Sequence, residues 1–273
     1  MPPVEGLDPS ASIRHKIAHD LRFFREQRGL SLADLAPVMG CLRTGVSNYE
    51  YARQGWNLQD RHAKALDEFY ELPGHFQWLL QQCRSREAED WFAEHLDKER
   101  KASQISLAEL GQVPGLFQTE AYARAILIEA GSLALEAQLV KRMERQQILS
   151  RKDPPHVWAL LDESILDRRI GGWDVMKPQL EWLIDLSARR NISIRIVPLS
   201  AGWHPGLSSS FKVLDVEGRR FAYTETTGGG RLTADRTEVE GFALRYRQIG
   251  AKALPEQISR EIITATLEAD DGA

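Results

Sequence analysis

Apolar residues at Ile13, Ile17, Leu21 and Phe24 recur at steps of four, four and three, a spacing that predicts a helix with one buried face; Gly29 marks its end. Ser31, followed three residues on by Asp34, opens a second and shorter helix in the manner of a capping box, with Leu32, Leu35 and Ala36 on one side. Gly40 supplies a residue able to take positive φ. A third helix is predicted almost at once, over about residues 43–51, with Val46 and Tyr49 as its inner face. That leaves Arg43, Thr44, Ser47 and Asn48 on its outer side. Asn57 with Asp60 reads as the cap of a fourth helix burying Leu58, Ala65, Leu66 and Phe69, and Pro73 as the first position of a short fifth ending in Trp78, Leu79 and Leu80.

The pattern then weakens. Residues 81–90 (QQCRSREAED) are polar and weakly periodic and predict a linker, followed by a helix over about 88–102 with Trp91, Phe92, His95 and Leu96 on one side. A strand-like run at 105–110 leads to a Pro114-Gly115 turn and a helix that starts at Gln118 or Thr119. Residues 135–150 form a long amphipathic pattern with Lys141, Arg142, Arg145 and Arg151 outside. Strand signals follow at 156–161, 192–198, 211–216 and 219–226, with a helix over 175–190 between the first two and a hairpin at Gly218. Gly228-Gly229-Gly230 predicts an all-glycine turn, and residues 235–250 and 255–267 two closing helices. The expected architecture is an all-α, five-helix head over residues 10–80, a linker over 81–90, and an α+β domain over 91–268 with a small, mostly antiparallel sheet.

A length of 273 residues, 42% hydrophobic and 27% charged, fits about two ordinary globular domains. No apolar run approaches the ~18 residues of a membrane span, and the opening MPPVEGLDPS lacks the features of a signal peptide, so a cytoplasmic location without membrane association is expected. The two cysteines, Cys41 and Cys83, form neither a CxxC motif nor a disulfide framework, and no metal site or cofactor is expected. Net charge is −4, yet residues 10–64 hold nine basic against five acidic side chains. The head can therefore attract a phosphate backbone while the remainder cannot. Arg22 and Arg25, on the outer face of the first helix, are candidates for that contact.

The run RGLSLADLAPVMG followed by SNYE resembles the helix-turn-helix of phage-repressor-like (xenobiotic-response-element) transcription regulators, over residues 21–80. Leu42 stands where that family usually has a capping Ser or Thr, Pro37 interrupts the preceding helix, and Gly45, inside the recognition helix, is read as allowing close approach to a DNA backbone. The resemblance implies that Arg43, Thr44, Ser47 and Asn48 touch bases or nearby phosphates. It also implies that the loop 52–56, containing Arg53, Gln54 and Gly55, runs along the DNA backbone, with Arg53 in contact.

PGLFQTEAYARAIL, KRMERQQIL, Gly171-Gly172, VMKPQLEWL, IRIVPL and AGWH resemble the C-terminal domain, of DUF5753 type, fused to such heads in actinobacterial regulators; the likeness covers about residues 90–267. It implies a developmental or antitoxin-like repressor, often beside a small partner protein. Residues that could have signalled an enzyme do not converge. Asp162 and Glu163 are adjacent and point to opposite faces of a strand, and no GxSxG, HExxH or Walker-type pattern is present. Trp173, Trp203 and His204 are the candidates for a partner or ligand contact in this domain. The expected function is a non-enzymatic, sequence-specific DNA-binding transcription regulator, homodimeric on a near-palindromic double-stranded operator, with the C-terminal domain serving dimerisation and partner or signal binding. The alternative is an antitoxin-like protein that mainly holds a small partner.

Overall fold

The computed structural model describes the backbone of residues 7–53, 55–226 and 229–270, and their side chains except at 85–90, 226, 229 and 270. The chain divides into two compact units, the first ending at Glu89 and the second beginning at Asp90.

The first unit is helical: α1 (Ile13–Gln27), α2 (Leu32–Val38), α3 (Arg43–Glu50), α4 (Asp60–Tyr70) and the opening of α5 (His75–Lys101). Ser12 caps α1 by accepting from the His15 N–H at 3.1 Å. The capping box of α2 is complete: Asp34 N donates to Ser31 Oγ at 3.2 Å and Ser31 N to Asp34 Oδ2 at 2.8 Å. Gly29 and Gly40 take φ of 67° and 59° after α1 and α2, a conformation that strains any side chain with a Cβ. Leu21, Leu35, Val46, Leu66 and Phe76 meet in one core. The N-cap of α4 is Gln59, whose N–H donates to His62 Nδ1 at 3.3 Å, and not Asn57. Asp67 caps α5 from α4, accepting from Phe76 N at 2.8 Å and Gln77 N at 3.0 Å, and so satisfies two orphan donors with a carboxylate.

The break between the units falls inside the expected linker at 81–90, but that stretch is helix and not an irregular segment. These residues continue α5, which runs unbroken from His75 to Lys101, so the fifth helix is not short. Gln, Arg, Glu and Ala are good helix formers and no Gly or Pro interrupts them, so low amphipathicity there does not mean loop. Gln54, Gly228 and the chain ends at 1–6 and 271–273 lie outside the described residues.

The second unit wraps helices around a six-stranded sheet. Its elements are β1 (Gln104–Glu109), α6 (Glu120–Glu129), α7 (Leu135–Arg145), β2 (His156–Asp162), α8 (Ser164–Asp167), α9 (Trp173–Ser187), β3 (Ile192–Val197), β4 (Phe211–Val216), β5 (Arg219–Thr226), β6 (Gly229–Thr233), α10 (Arg236–Gly250) and α11 (Glu256–Asp270). Strand order is β3-β2-β1-β4-β5-β6. β1, β2 and β3 run parallel, whereas β4 pairs antiparallel with β1, β5 with β4, and β6 with β5.

The sheet is thus larger than expected and mixed: three of its five pairings are antiparallel, as expected, but two are parallel. Periodicity reveals a strand but not its direction; direction follows from the connections. Helices separate β1 from β2 and β2 from β3, as parallel neighbours require. Glu217 and Gly218, at φ of 49° and 77°, make the two-residue turn between β4 and β5. The expected glycine turn is also corrected: Gly229 and Gly230 belong to β6. A Cβ on Gly230 would lie 2.0 Å from the Tyr223 hydroxyl, so a strand passing under that ring has no room for a side chain.

Alternation sends Ile105, Val157, Ile194 and Leu214 to one face, packed with Met176 and Leu180 of α9 and Ile263 of α11. Leu160, Phe211 and Val213 go to the other, against Val239 and Ile249 of α10. Among the described residues, no helix is long and apolar enough to cross a membrane.

Candidate functional site

α3 is held by its inner residues and by one ion pair. Val46 is fully buried. Gly45 faces inward too: a Cβ there would stand 3.3 Å from Cys41 Sγ and 3.5 Å from the Trp56 ring. Its role is close packing beneath the turn, which corrects its reading as a point of approach to a DNA backbone. Glu50, at the last turn, is buried and accepts from Arg25 of α1 through two parallel bonds, Nε to Oε1 at 2.6 Å and Nη2 to Oε2 at 2.9 Å. Arg25 Nη1 donates to the Leu30 carbonyl at 2.8 Å. Each nitrogen of that guanidinium therefore donates within the protein, and Arg25 fixes α3 and the α1–α2 turn to α1. This corrects its assignment to a phosphate.

The outer edge of α3 stays clear. Arg43 and Thr44 are exposed, and Ser47 and Asn48 are half-buried on the same edge. Among the described residues Arg43 has no ion-pair partner. The loop after α3 starts with Ala52 at a φ of 46° and is gripped from α1, where Arg14 Nη2 donates to the carbonyls of Arg53 and, at 3.4 Å, Trp56. Arg53 Nη1 donates to Asn48 Oδ1 at 3.2 Å, which ties loop to helix, and its guanidinium lies 6.0 Å from the centre of the Tyr51 ring. Tyr51, Arg53 and Trp56 are exposed in the segment that directly follows α3. Arg22 pairs with Glu26 one turn along, Nε to Oε1 at 2.7 Å, on the outside of α1. Five of the seven expected contact residues, Arg43, Thr44, Ser47, Asn48 and Arg53, thus belong to α3 and the loop it is bonded to.

The second unit separates its three candidates. Trp173 opens α9 and packs against the core on the α9 side, under the Arg169 guanidinium at 5.0 Å. Trp203 is 73% exposed in the loop after β3, and its carbonyl accepts from Lys252 at 2.7 Å. His204 is buried beneath that loop, its Nε2 3.5 Å from Asp162 Oδ2 and its Nδ1 without a hydrogen-bond partner. Asp162 also accepts from the Ser164 N–H at 3.0 Å, whereas Glu163 accepts from Leu199 N at 2.6 Å. The two adjacent acids take different partners and do not act as a pair.

A denser polar cluster lies elsewhere. Glu99, on α5, is buried and accepts from Arg145 of α7 through a two-pronged pair, Nη2 to Oε2 at 2.8 Å, and from Lys212 of β4 at 3.1 Å. Burial alone would raise its carboxyl; the Arg145 and Lys212 charges hold it well below the usual carboxylate range. His95, one turn earlier, stacks on Tyr223 with ring centres 3.8 Å apart, and its Nε2 stands 3.4 Å from Glu99 Oε2 without the alignment of a hydrogen bond. Both its ring nitrogens are buried without a hydrogen-bond partner, and burial pushes the imidazole down to about 4. Burial also pushes the Glu109 carboxyl, at the end of β1, up to about 7.

The amphipathic reading of 135–150 placed Arg142 and Arg145 outside. In the structure α7 ends at Arg145, a tighter turn covers 146–150, and both arginines point inward, Arg142 donating to Gln118 Oε1 at 2.9 Å. The partner of Arg145 lies 46 positions away, beyond the reach of local pattern. Among the described residues no group of three or more His, Cys, Asp or Glu side chains is placed to hold a metal ion.

Comparison with known proteins bears on the second unit. A family model described as a domain of unknown function, DUF5753, matches residues 92–265. No curated protein matches the chain.

Proposed function

We propose that this chain, which belongs to the DUF5753 family, is a cytoplasmic, non-enzymatic regulator of transcription whose first unit binds duplex DNA through α3. One observation carries the reading. α3 is locked to α1 by the Arg25–Glu50 pair, and the edge it turns outward holds an arginine without an ion-pair partner among the described residues, a threonine, a serine and an asparagine beside an arginine-bearing loop. A rigid helix presenting those types matches what the major groove displays: acceptors on guanine, a donor and acceptor on adenine, and phosphates at the rim. The phage-repressor-like resemblance of this stretch points the same way.

In this reading Arg43, Thr44, Ser47 and Asn48 approach base edges, and Arg53 meets a phosphate. Arg22 is a flanking phosphate contact once it leaves Glu26. A homodimer would set two such helices on successive half-sites of a near-palindromic operator, with the DUF5753 domain serving dimerisation and partner or signal binding. A binding selection followed by titration against the selected duplex tests it. Arg43→Ala should relax sequence preference by ~1–3 kcal/mol at one position, whereas Arg53→Ala should weaken all sequences alike and lower the salt slope by about one. Equal losses on every sequence from both changes would remove Arg43 from base reading.

A second reading has one observation of its own. Leu199, Trp203 and Leu207 are all exposed within one loop of the second unit, a composition suited to an antitoxin-like hold on a small protein partner. Full-length chain that captures such a partner from native lysate, loses it on Trp203→Ala, and shifts no DNA would favour that reading over the first.

A further inference from the structure

We propose that Leu42 reads the C5-methyl group of a thymine in the major groove, an inference that rests on the DNA-binding role of α3 and gives it a base. Leu42 is the N-cap of α3, makes no side-chain cap bond, and is 78% exposed, the most exposed large apolar side chain described in the first unit. Its backbone supplies the cap alone: at φ −82° and ψ 159° it is extended, and its carbonyl accepts from Gly45 N at 2.8 Å and Val46 N at 3.2 Å. The side chain is left over, projecting beyond the first turn next to Arg43 and Thr44.

An N-cap selects for Ser, Thr, Asp or Asn, and an exposed leucine there serves neither helix nor core. Local rules are broken where a residue works on something outside the chain. What lies outside is constrained by the neighbours. Leu42 is followed at once by an exposed arginine that has no ion-pair partner among the described residues, in a segment with nine basic against five acidic side chains, the charge of a surface that meets phosphates. Recognition helices bring their N-terminal residues to base edges. The apolar group the major groove offers is the thymine methyl, and leucine has no donor or acceptor with which to read anything else there.

The test uses the full chain and its selected duplex. Each thymine is replaced in turn by uracil, which removes the methyl group and leaves pairing intact. At one or more thymine positions the wild-type chain should lose about fourfold in affinity, the worth of one buried methyl. Leu42→Ala and Leu42→Ser should bind the thymine and uracil duplexes equally, with an unchanged salt slope. Tight binding by the wild type with indifference to every uracil overturns the inference but leaves the DNA-binding reading standing. So does Leu42→Ala that keeps the full thymine preference. A chain that binds no selected duplex overturns both.

Discussion

Glu50 and Glu99 are each buried and each gripped by a two-pronged arginine, yet they sit in different company. Around Glu50 the account closes: one carboxylate, one guanidinium, and the remaining nitrogen of Arg25 on the Leu30 carbonyl. Around Glu99 it does not. Arg145 and Lys212 both donate to one carboxylate, and His95 stands beside it with neither nitrogen bonded. A matched buried pair fixes geometry. An overfilled cluster with unsatisfied members makes stability depend on protonation. The first unit uses buried charge to aim a helix; the second concentrates titratable groups at the end of its sheet.

The widest gap between the two should appear on removing the carboxylates. Glu99→Ala strands two buried cations and should lower stability in urea unfolding by ~3–5 kcal/mol. Next comes the response to acid. His95 is held neutral to about pH 4 when folded, but takes a proton near 6.5 when unfolded, so its contribution is lost as pH falls from 6.5 to 4, by about 3 kcal/mol. Glu109 works oppositely. Its folded carboxyl keeps its proton to about pH 7 while the unfolded one releases it near 4.5, so its contribution is full below 4.5 and lost as pH rises through 7. The wild type should therefore show a shallow profile between pH 4.5 and 6.5. Glu109→Gln should lose stability toward acid and His95→Phe toward neutrality; parallel profiles in both variants would break the contrast.

Glu50→Ala strands one cation where Glu99→Ala strands two, so it should cost less, and it should weaken binding to all duplexes by loosening α3. Arg22→Ala, which breaks a surface pair, should change stability by under ~0.5 kcal/mol. Of opposite sign, Leu42→Ser should raise stability by ~0.5–1 kcal/mol by supplying the missing cap. A gain in stability coupled to a loss of thymine preference would separate the fold's needs from the site's.

What could be seen beforehand follows from range. Ser31, Asp34 and Gly40 are local signals, and they placed α2, its cap and the turn before α3. The outward edge of α3 was equally legible, because Val46 and Tyr49 fix the inward side. The roles of Arg25 and Arg145 were not: both lie on polar faces by periodicity, and their partners stand 25 and 46 positions away. Nor could alternation in β1 to β5 tell parallel from antiparallel, or reveal β6, whose two glycines read as a bend until the Tyr223 ring is seen across them.

Arg14 illustrates a habit of this chain. It fastens the loop after α3 by main-chain oxygens, as Arg195 does at the end of α10 (Leu254 at 2.8 Å, Gly250 at 3.0 Å) and Arg260 at the end of α9 (Ser187 at 2.8 Å). Carbonyls are common to all twenty residue types. A loop anchored that way keeps its path whatever side chains it turns outward, so an exposed residue such as Tyr51 can be exchanged without the scaffold having to be rebuilt.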